Sequence, residues 1–129
     1  MAHILVVDDD IGTREWLSAI LEAAGHLVFA AQDGLEARSL AMRSTLDLVI
    51  TDISMPNEEG LGMIRALRKS LPQLKIIAFS GQDPDTLHDA KLLGAHAALR
   101  KPVTAQILLQ SVEELCAAQP AQSKSKSAR

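Results

Sequence analysis

Four short apolar segments of the chain each end in side chains that suit metal or phosphoryl chemistry. Asp8 and Asp9 follow the first segment, and Asp52, Ser80 and Lys101 follow the others. If these segments are strands of one parallel sheet, their carboxyl ends share one edge, where ligands of open α/β sheets bind. That edge would hold carboxylates, a hydroxyl and an ammonium. Such a set suits a divalent metal ion and a phosphoryl group.

The roles within this set follow from the residue types. Mg²⁺ takes oxygen ligands and keeps several waters, so the neighbouring carboxylates of Asp8 and Asp9 are the expected metal-holding pair. Asp52 comes from another segment and is the best candidate for a nucleophile that forms an aspartyl phosphate. The Lys101 ammonium and the Ser80 hydroxyl would then stabilise the phosphoryl oxygens electrostatically.

Length and composition predict one globular domain. The chain has 129 residues, 47% hydrophobic and 22% charged, which is ordinary globular usage. The last ten residues carry three bases and no acid, whereas the other 119 carry 10 bases and 16 acids. This acidic body argues against nucleic-acid binding, which requires clustered Lys and Arg.

The sequence also argues against secretion and membrane insertion. The N-terminus has no basic segment followed by an apolar stretch, and no apolar stretch approaches the roughly 18 residues of a membrane span. The single cysteine, Cys116, excludes an internal disulfide and fits a reducing compartment. We therefore expect a cytoplasmic protein that does not contact a membrane.

Apolar segments alternate with helical periodicity, which predicts five β/α units and a parallel sheet with helices on both faces. Gly25 and Gly94 are expected at helix ends, and Asp83 and Thr104 at helix starts. Residues 119–129 show no apolar periodicity and are interpreted as a disordered tail after a domain over 1–118. We expect strands over 3–8, 26–31, 47–51, 74–79 and 97–100, helices over about 12–24, 33–43, 83–93 and 104–118, and a further helix that carries Leu61 to Arg68 and ends before Pro72.

As an ordered set, these residues resemble the receiver domain of two-component response regulators. The resemblance covers residues 3 to about 117 and implies a flavodoxin-like, doubly wound five-stranded parallel sheet with strand order 2-1-3-4-5 and five helices. The matching segments are Ile4-Leu5-Val6-Val7-Asp8-Asp9-Asp10, Asp52-Ile53-Ser54-Met55-Pro56 with Gly60, Ser80-Gly81, Gly94-Ala95 and Lys101-Pro102.

The resemblance implies an Mg²⁺-dependent phosphoacceptor switch, with Mn²⁺ as a substitute ion. Asp52 would accept a phosphoryl group from a phosphohistidine on a sensor histidine kinase or phosphotransfer protein. Asp9 and Asp52 would bind the metal directly, Asp8 would act largely through water, and the backbone carbonyl of Ser54 would be a further ligand. The protein would catalyse only its own phosphorylation and dephosphorylation.

The same resemblance gives roles to the other strand ends. Ser80 would hydrogen-bond the phosphoryl group, Lys101 would pair with Asp52 or the phosphoryl oxygens, and the Lys101-Pro102 bond would be cis. The initiating Met and the tail suggest a stand-alone domain. Output would then pass through contact with an unidentified downstream protein, by a monomer or weak homodimer.

The chain departs from the usual pattern of the family at the residues that carry the signal outward. Ala98 stands where Tyr or Phe is usual, and Val103 stands where an aromatic residue usually follows Lys-Pro. Glu58 adds a negative charge where an apolar residue is common. The ordinary coupling of a hydroxyl residue to a switching aromatic ring therefore cannot operate.

Two other functions are compatible with parts of the pattern. A degenerate receiver that acts only as an interaction module would explain the missing aromatics. A phosphatase of the haloacid-dehalogenase type would use Asp8 as nucleophile, with Asp10, Ser80 and Lys101 as further motif residues. That hypothesis leaves Asp52 without a role, and the Thr or Val that it requires is Gly12.

Overall fold

The structure is a computed structural model, in which residues 1–53, 59–81 and 84–117 are described. The described residues form five strands and five helices that alternate along the chain, as the sequence predicts. The elements are β1 His3–Val7, α1 Ile11–Ala23, β2 Leu27–Ala31, α2 Gly34–Arg43, β3 Leu48–Asp52, α3 Glu59–Ser70, β4 Lys75–Ser80, α4 Pro84–Leu93, β5 Ala97–Arg100 and α5 Ala105–Ala117.

The strands form one parallel sheet in the order β2-β1-β3-β4-β5. This confirms the predicted flavodoxin-like order. From β1 the chain first adds β2 on one side and then β3 on the other, so the switch point of the sheet lies between β1 and β3. Ligands of such sheets bind beyond the carboxyl ends of the strands at this point. We call the side of the sheet where the strands end the carboxyl edge, and the opposite side the amino edge.

The sheet lies between two helical layers because side chains of a strand alternate between its faces. Leu5 and Val7 of β1 pack on the side of α2, α3 and α4. Ile4 and Val6 pack on the side of α1 and α5. Strands β1, β3 and β4 are therefore buried on both faces, which explains their nearly continuous Val, Ile and Leu content.

Among the described residues, side chains cap the start of α1, α2 and α5. The side chains of Asp10, Asp33 and Thr104 each accept a hydrogen bond from the backbone N–H three residues further on, at 2.8, 2.8 and 3.1 Å. Each bond satisfies one of the unpaired N–H groups of a first helical turn. The cap of α5 confirms the prediction for Thr104, and Asp10 starts α1 at Ile11, one residue before the predicted start.

Glycines end α1 and α4, as predicted. Gly25 has φ +95° and Gly94 has φ +125°, a backbone region that L side chains rarely adopt. A Cβ at Gly94 would also lie 2.9 Å from Cγ and Nε of Arg68, whereas a Cβ at Gly25 would meet no atom within 4 Å. Gly94 is therefore required for a close approach as well as for its backbone angle.

Arg68, near the end of α3, ties the segments that lead into β4 and β5. Its Nη1 donates to the carbonyl oxygen of Pro72 at 2.6 Å, and its Nη2 donates to those of Leu74 and Gly94 at 2.8 and 3.0 Å. The same Nη2 lies 3.2 Å from Nδ1 of His96, which also accepts from a backbone N–H of β4 at 3.2 Å. This Arg68 cluster holds the amino edge together.

Several predicted boundaries differ from the structure by one residue. β1 ends at Val7 rather than residue 8, whereas β3 and β4 start and end one residue later than predicted, so Asp52 and Ser80 are the last residues of their strands. The predicted cap Asp83 and the predicted tail 119–129 lie outside the described residues. No helix in the described part of the chain combines the length and hydropathy that a bilayer span requires.

Candidate functional site

The carboxyl edge brings three acidic side chains into one cluster. Val7 is level with Thr51 in the pairing of β1 with β3, so the residues that follow them, Asp8 and Asp52, come side by side. One carboxylate oxygen from each of Asp8, Asp9 and Asp52 lies within 4.8 Å of the others. Asp8 and Asp52 are buried and Asp9 is exposed. The switch point of the sheet is therefore lined with carboxylates.

Asp8 lies in a buried environment that disfavours its charge. Its side chain is almost fully buried, and Oδ1 accepts from the backbone N–H of Asp10 at 2.8 Å. Its Oδ2 is buried and has no hydrogen-bond partner within the described structure. Burial, followed by the negative charge of Asp52, raises the pKa of Asp8 from 3.8 to about 6, against the lowering effects of the Asp10 N–H and Lys101.

Lys101 places one positive charge against the carboxylates. Its Nζ donates to Oδ2 of Asp52 at 2.9 Å. The same Nζ lies 5.2 Å from the centroid of the Phe79 ring, within cation–π distance. Phe79 is level with Asp52 in the pairing of β3 with β4, so the ring and the carboxylate both face the ammonium. The Lys101–Pro102 bond is cis, as predicted.

Ser80 lies at the same edge, at the end of β4. It is fully buried and stands opposite Arg100, the residue before Lys101, in the pairing of β4 with β5. Its hydroxyl therefore belongs to a strand next to the one that carries Asp52. Ser54, the predicted backbone ligand, lies outside the described residues, as does Glu58.

The first turn of α1 is tied to this cluster. Nη1 of Arg14 donates to the backbone carbonyl of Asp8 at 2.7 Å. The carboxylate of Asp10 accepts from both the N–H and the hydroxyl of Thr13 at 2.8 Å, which lowers the pKa of Asp10. Asp10 is thus engaged as a helix cap, whereas a haloacid-dehalogenase-type phosphatase would need it as a motif residue in the site.

The donor set fits a hard divalent cation. The described residues of the cluster contribute three carboxylates, and Lys101 neutralises only one of their three formal negative charges. The buried Oδ2 of Asp8 has no hydrogen-bond partner among the described residues, and a buried unpaired acceptor costs about 1–3 kcal/mol. A cation ligated by carboxylate oxygens would remove both penalties. Mg²⁺ prefers oxygen ligands of this kind.

Of the two positions at which the family usually has an aromatic residue, Val103 lines a groove with Lys101, and Ala98 is level with Ala78 in the pairing of β4 with β5. Ala98 and Val103 are each half-buried. Val103 lines a groove of about 440 Å³ between α1 and the segment that enters α5, together with Trp16 and Phe79. Trp16 is 44% exposed there. The aromatic side chains near Lys101 therefore come from α1 and β4 rather than from β5.

Two contacts of the site were not predicted from the sequence. The alternation of β4 places Phe79 and Ser80 on opposite faces, but nothing in the sequence brings the Phe79 ring under Lys101. Arg14 binds a backbone carbonyl, and a backbone acceptor leaves no signal in residue types. In contrast, the residues at the four strand ends could all be identified from the apolar segments before them.

Comparison with known proteins gives one family. The family model described as response regulator receiver domain matches residues 4–113. The response regulator MprA of Mycobacterium sp. strain KMS is 38% identical over 114 residues, which are 88% of this chain and 50% of that protein. The aerobic respiration control protein ArcA of Escherichia coli K12 is 37% identical over 92 residues, 71% of this chain and 37% of ArcA. The chain thus spans half or less of the length of these curated relatives.

Solved structures agree with this assignment. The chemotaxis protein CheY4 of Vibrio cholerae superposes with a TM-score of 0.83 at 31% identity, covering 89% of this chain and 98% of CheY4. A response regulator receiver domain protein from Clostridium thermocellum gives 0.82 at 34% identity, covering 89% and 94%. The family model, the strand order and these neighbours all agree, and the chain belongs to the response regulator receiver domain family of two-component signalling.

Proposed function

We propose that the protein is a phosphoacceptor switch in which Asp52 is phosphorylated by a phosphohistidine of a sensor histidine kinase or phosphotransfer protein. One observation carries the proposal. The buried Asp52 carboxylate is held at 2.9 Å by Lys101 and lies within 4.8 Å of the carboxylate oxygens of Asp8 and Asp9. A nucleophilic carboxylate, a cation and a metal-type donor set therefore meet at one strand end.

In the transfer step, a carboxylate oxygen of Asp52 attacks the phosphorus of the phosphohistidine. The new O–P bond forms as the N–P bond breaks, and the imidazole nitrogen leaves with the electron pair. The Lys101 ammonium, already at the carboxylate, offsets the charge of the equatorial phosphoryl oxygens. The switch is turned off by hydrolysis. Water attacks the phosphorus of the aspartyl phosphate, the O–P bond to Asp52 breaks, and the Asp52 carboxylate and inorganic phosphate are released.

We propose Asp8, Asp9, Asp52 and the backbone carbonyl of Ser54 as the residues that would hold Mg²⁺. When bound, Mg²⁺ supplies the positive charge that the carboxylates lack and stabilises phosphoryl oxygens. Asp8 supports this assignment because its Oδ2 has no hydrogen-bond partner among the described residues, and because burial, followed by the charge of Asp52, raises its pKa. A cation at this position would relieve both unfavourable effects. Mn²⁺ would substitute, since it shares the preference for oxygen ligands.

Ser80 is proposed to donate its hydroxyl hydrogen to a phosphoryl oxygen. Its position at the end of β4, on the strand next to Asp52, supports this role. A buried hydroxyl that gains a charged acceptor forms a bond worth more than one between neutral groups. Through this hydrogen bond, phosphorylation of Asp52 would change the position of Ser80 and so act on the segment between β4 and α4.

We propose that output is by protein–protein contact, through an unidentified downstream partner in the cytoplasm, and that the receiver domain covers residues 1–118. The acidic charge of residues 1–119 supports a protein rather than a nucleic-acid partner. The protein would turn over no substrate other than its own phosphoryl group.

One observation favours a second function, that of an interaction module which is never phosphorylated. Ala98 and Val103 lack the rings that the family commonly uses to pass on the signal. The intact acidic cluster separates the two functions, because a module without phosphorylation needs no metal response. Millimolar Mg²⁺ should therefore change the amide spectrum of the protein around Asp8 and Asp52 if the switch function is right.

The decisive experiment is phosphorylation by a small phosphodonor. Wild-type protein incubated with Mg²⁺ and acetyl phosphate should gain the mass of one phosphoryl group. Chelation of the metal, or Asp52→Asn, should remove the adduct. Lys101→Ala should slow its formation by about 10²-fold, the scale of one lost electrostatic group in a transition state.

The control is Asp9→Asn, which should retain the fold. The rate at which this variant forms the adduct should depend much less on Mg²⁺ than the rate of the wild type. Absence of an adduct on the wild-type protein, in the presence of a clear Mg²⁺ response, would contradict the switch function. An adduct that persists in Asp52→Asn would show that another residue is the acceptor.

A further inference from the structure

Helix α2 has an unusual distribution of side-chain sizes. The residues that it buries against the sheet are small, namely Gly34, Ala37 and Ala41. Of its larger apolar side chains, Leu40 is partly buried against the core, whereas Leu35 is 75% exposed and Met42 63% exposed. An amphipathic surface helix normally shows the opposite arrangement, with large apolar residues inward and polar residues outward. α2 therefore presents an exposed stripe in which Leu35 and Met42 lie on either side of Arg38 and Ser39.

The exposed stripe borders a groove between α2 and α3. Leu35 and Met42 are seven residues apart, so they lie on one face about 10 Å apart along the helix. The groove has a volume of about 480 Å³. Its lining, which we call the α2–α3 groove, consists of Leu35, Arg38, Ser39 and Met42 from α2 and Ala66, Leu67, Lys69 and Ser70 from α3.

The charges around the α2–α3 groove are basic, although the protein as a whole is acidic. Arg38 and Lys69 line the groove, and the exposed Arg43 and Arg65 lie on the same two helices. Glu36 is the only acidic residue among the side chains of α2 and α3 that the structure describes. Its carboxylate is turned to the start of α2, where Oε1 accepts from a backbone N–H at 2.8 Å. The groove therefore combines apolar contact with positive charge.

We propose that the α2–α3 groove is a docking surface for an acidic amphipathic helix of a partner protein. Helices that dock in grooves present apolar residues at i, i+3 or i+4, and i+7, which matches the spacing of Leu35 and Met42. Glutamates or aspartates that flank this stripe would meet Arg38 and Lys69. This surface is separate from the Asp52 site, which lies at the carboxyl edge of the sheet.

Charge favours a different protein over a second copy as the occupant. In a symmetric dimer the same patch meets itself, so the basic groups of one copy would face those of the other. Like charges across an interface oppose association. A second copy that presented another face would give an open chain of molecules rather than a closed dimer.

A synthetic helical peptide tests the proposal directly. The probe is a peptide of about 16 residues, or four helical turns, with leucine at i, i+4, i+7 and i+11 and glutamate at the flanking positions. The full chain, labelled with ¹⁵N, is titrated with the peptide at low ionic strength. The amide signals of α2 and α3 should shift in a saturable manner. A matched peptide with lysine in place of glutamate should bind at least about tenfold more weakly.

Surface variants distinguish the apolar from the charged contribution. Leu35→Ser and Met42→Ser should each weaken peptide binding about tenfold, the scale of a buried anchor residue. Arg38→Glu with Lys69→Glu should have a similar effect that diminishes with added salt. Ile107→Ser is the matched control, because Ile107 is a 46% exposed apolar residue on α5. It should leave peptide binding unchanged.

Several outcomes would overturn the proposal. Equal binding of the glutamate and lysine peptides, or shifts confined to the surface around Ile107, would exclude an acidic helix in this groove. A sedimentation experiment that shows a dimer lost in Leu35→Ser would identify a second copy as the occupant. Leu35-dependent binding to anionic phosphatidylglycerol vesicles, without a peptide response, would identify a lipid surface instead.

Discussion

The two edges of the sheet differ in how far their charged and polar groups are paired. At the amino edge, three backbone carbonyls and the ring of His96 lie within hydrogen-bond distance of the two terminal nitrogens of Arg68. At the carboxyl edge, three carboxylates share one ammonium, and a buried oxygen of Asp8 has no partner within the described structure. The satisfied edge stabilises the fold, and the unsatisfied edge is prepared to receive ligands.

Stability and function are thus separated between the two edges of the sheet. Removing a group from the amino edge should cost stability, because its acceptors would lose their donor. Neutralising the buried Asp8 at the carboxyl edge should raise the stability of the metal-free protein, because its desolvation and its repulsion by Asp52 would be relieved. Variants at the two edges should therefore change the free energy of unfolding in opposite directions.

The largest effect is expected for Arg68→Ala. The variant leaves the part-buried carbonyls of Leu74 and Gly94 without their donor, so the free energy of unfolding should fall by about 3 kcal/mol. Urea denaturation followed by circular dichroism measures it. Arg65→Ala, on the same helix and exposed, is the control and should change stability by less than about 0.5 kcal/mol. Equal losses in the two variants would show that Arg68 is not a tie between segments.

Gly94→Ala should be the next most destabilising change, at about 2 kcal/mol, because both its backbone angle and its Cβ contact with Arg68 are unfavourable. Gly25→Ala is the matched control, since that residue has positive φ but open space, and its cost should be about 1 kcal/mol. In the Arg68→Ala background, the cost of Gly94→Ala should approach that of Gly25→Ala. Purely additive effects in this double-mutant cycle would exclude the contact.

At the carboxyl edge, Asp8→Asn should raise the unfolding free energy of the metal-free protein by about 1–2 kcal/mol at pH 7.5. The reason is that the pKa of Asp8 is raised to about 6, so its ionised form is unfavourable in the folded state. Asp9→Asn, at an exposed position, should have little effect. Added Mg²⁺ should stabilise the wild type more than the Asp8→Asn variant. A destabilised Asp8→Asn variant would contradict the comparison.

The smallest effect is the pH dependence of metal-free stability between pH 7 and pH 5. Asp8, with its raised pKa, takes up a proton in the folded state first, so its contribution to stability rises as the pH falls. Burial, followed by the charges of Arg68 and Lys75, lowers the pKa of His96, so its contribution is lost as the pH falls below 6.5. The two contributions oppose each other. His26, whose pKa burial also lowers, has the same sign as His96.

Variants separate these opposing contributions. Asp8→Asn should lose stability more steeply than the wild type on acidification, and His96→Gln less steeply. Chemical denaturation at intervals of pH, with a chelator present, provides the measurement. Identical pH profiles in the two variants would show that neither group titrates as the structure indicates.

The fold and the candidate site differ in how far the sequence could predict them. The apolar segments predicted the strands because β1, β3 and β4 are buried on both faces. The strand order came from resemblance to a family, since periodicity alone does not select neighbours. The Asp52 and Ser80 positions were predicted one residue beyond their strands, because the hydrogen-bond ladder continues through polar residues that the apolar pattern excludes.

The amino edge was harder to predict for a physical reason. Arg68 falls on the helical stripe of Leu61, Ile64 and Leu67, and a cation on an apolar stripe is a signal that it binds buried acceptors. Its acceptors are backbone carbonyls, however, and every residue has one. For the same reason, the bond from Arg14 to the backbone carbonyl of Asp8 could not be predicted from the sequence. Side-chain chemistry could thus be anticipated from the sequence, but its backbone partners could not.

The bond from Lys101 to Asp52 joins residues 49 positions apart in the chain. A nascent chain that has not yet produced residue 101 lacks the ammonium that offsets phosphoryl charge, and it also lacks Leu108 and Val112 of α5, which complete the core. The protein therefore becomes able to accept a phosphoryl group only late in folding. A phosphodonor would therefore react with completely folded chains in preference to incomplete ones.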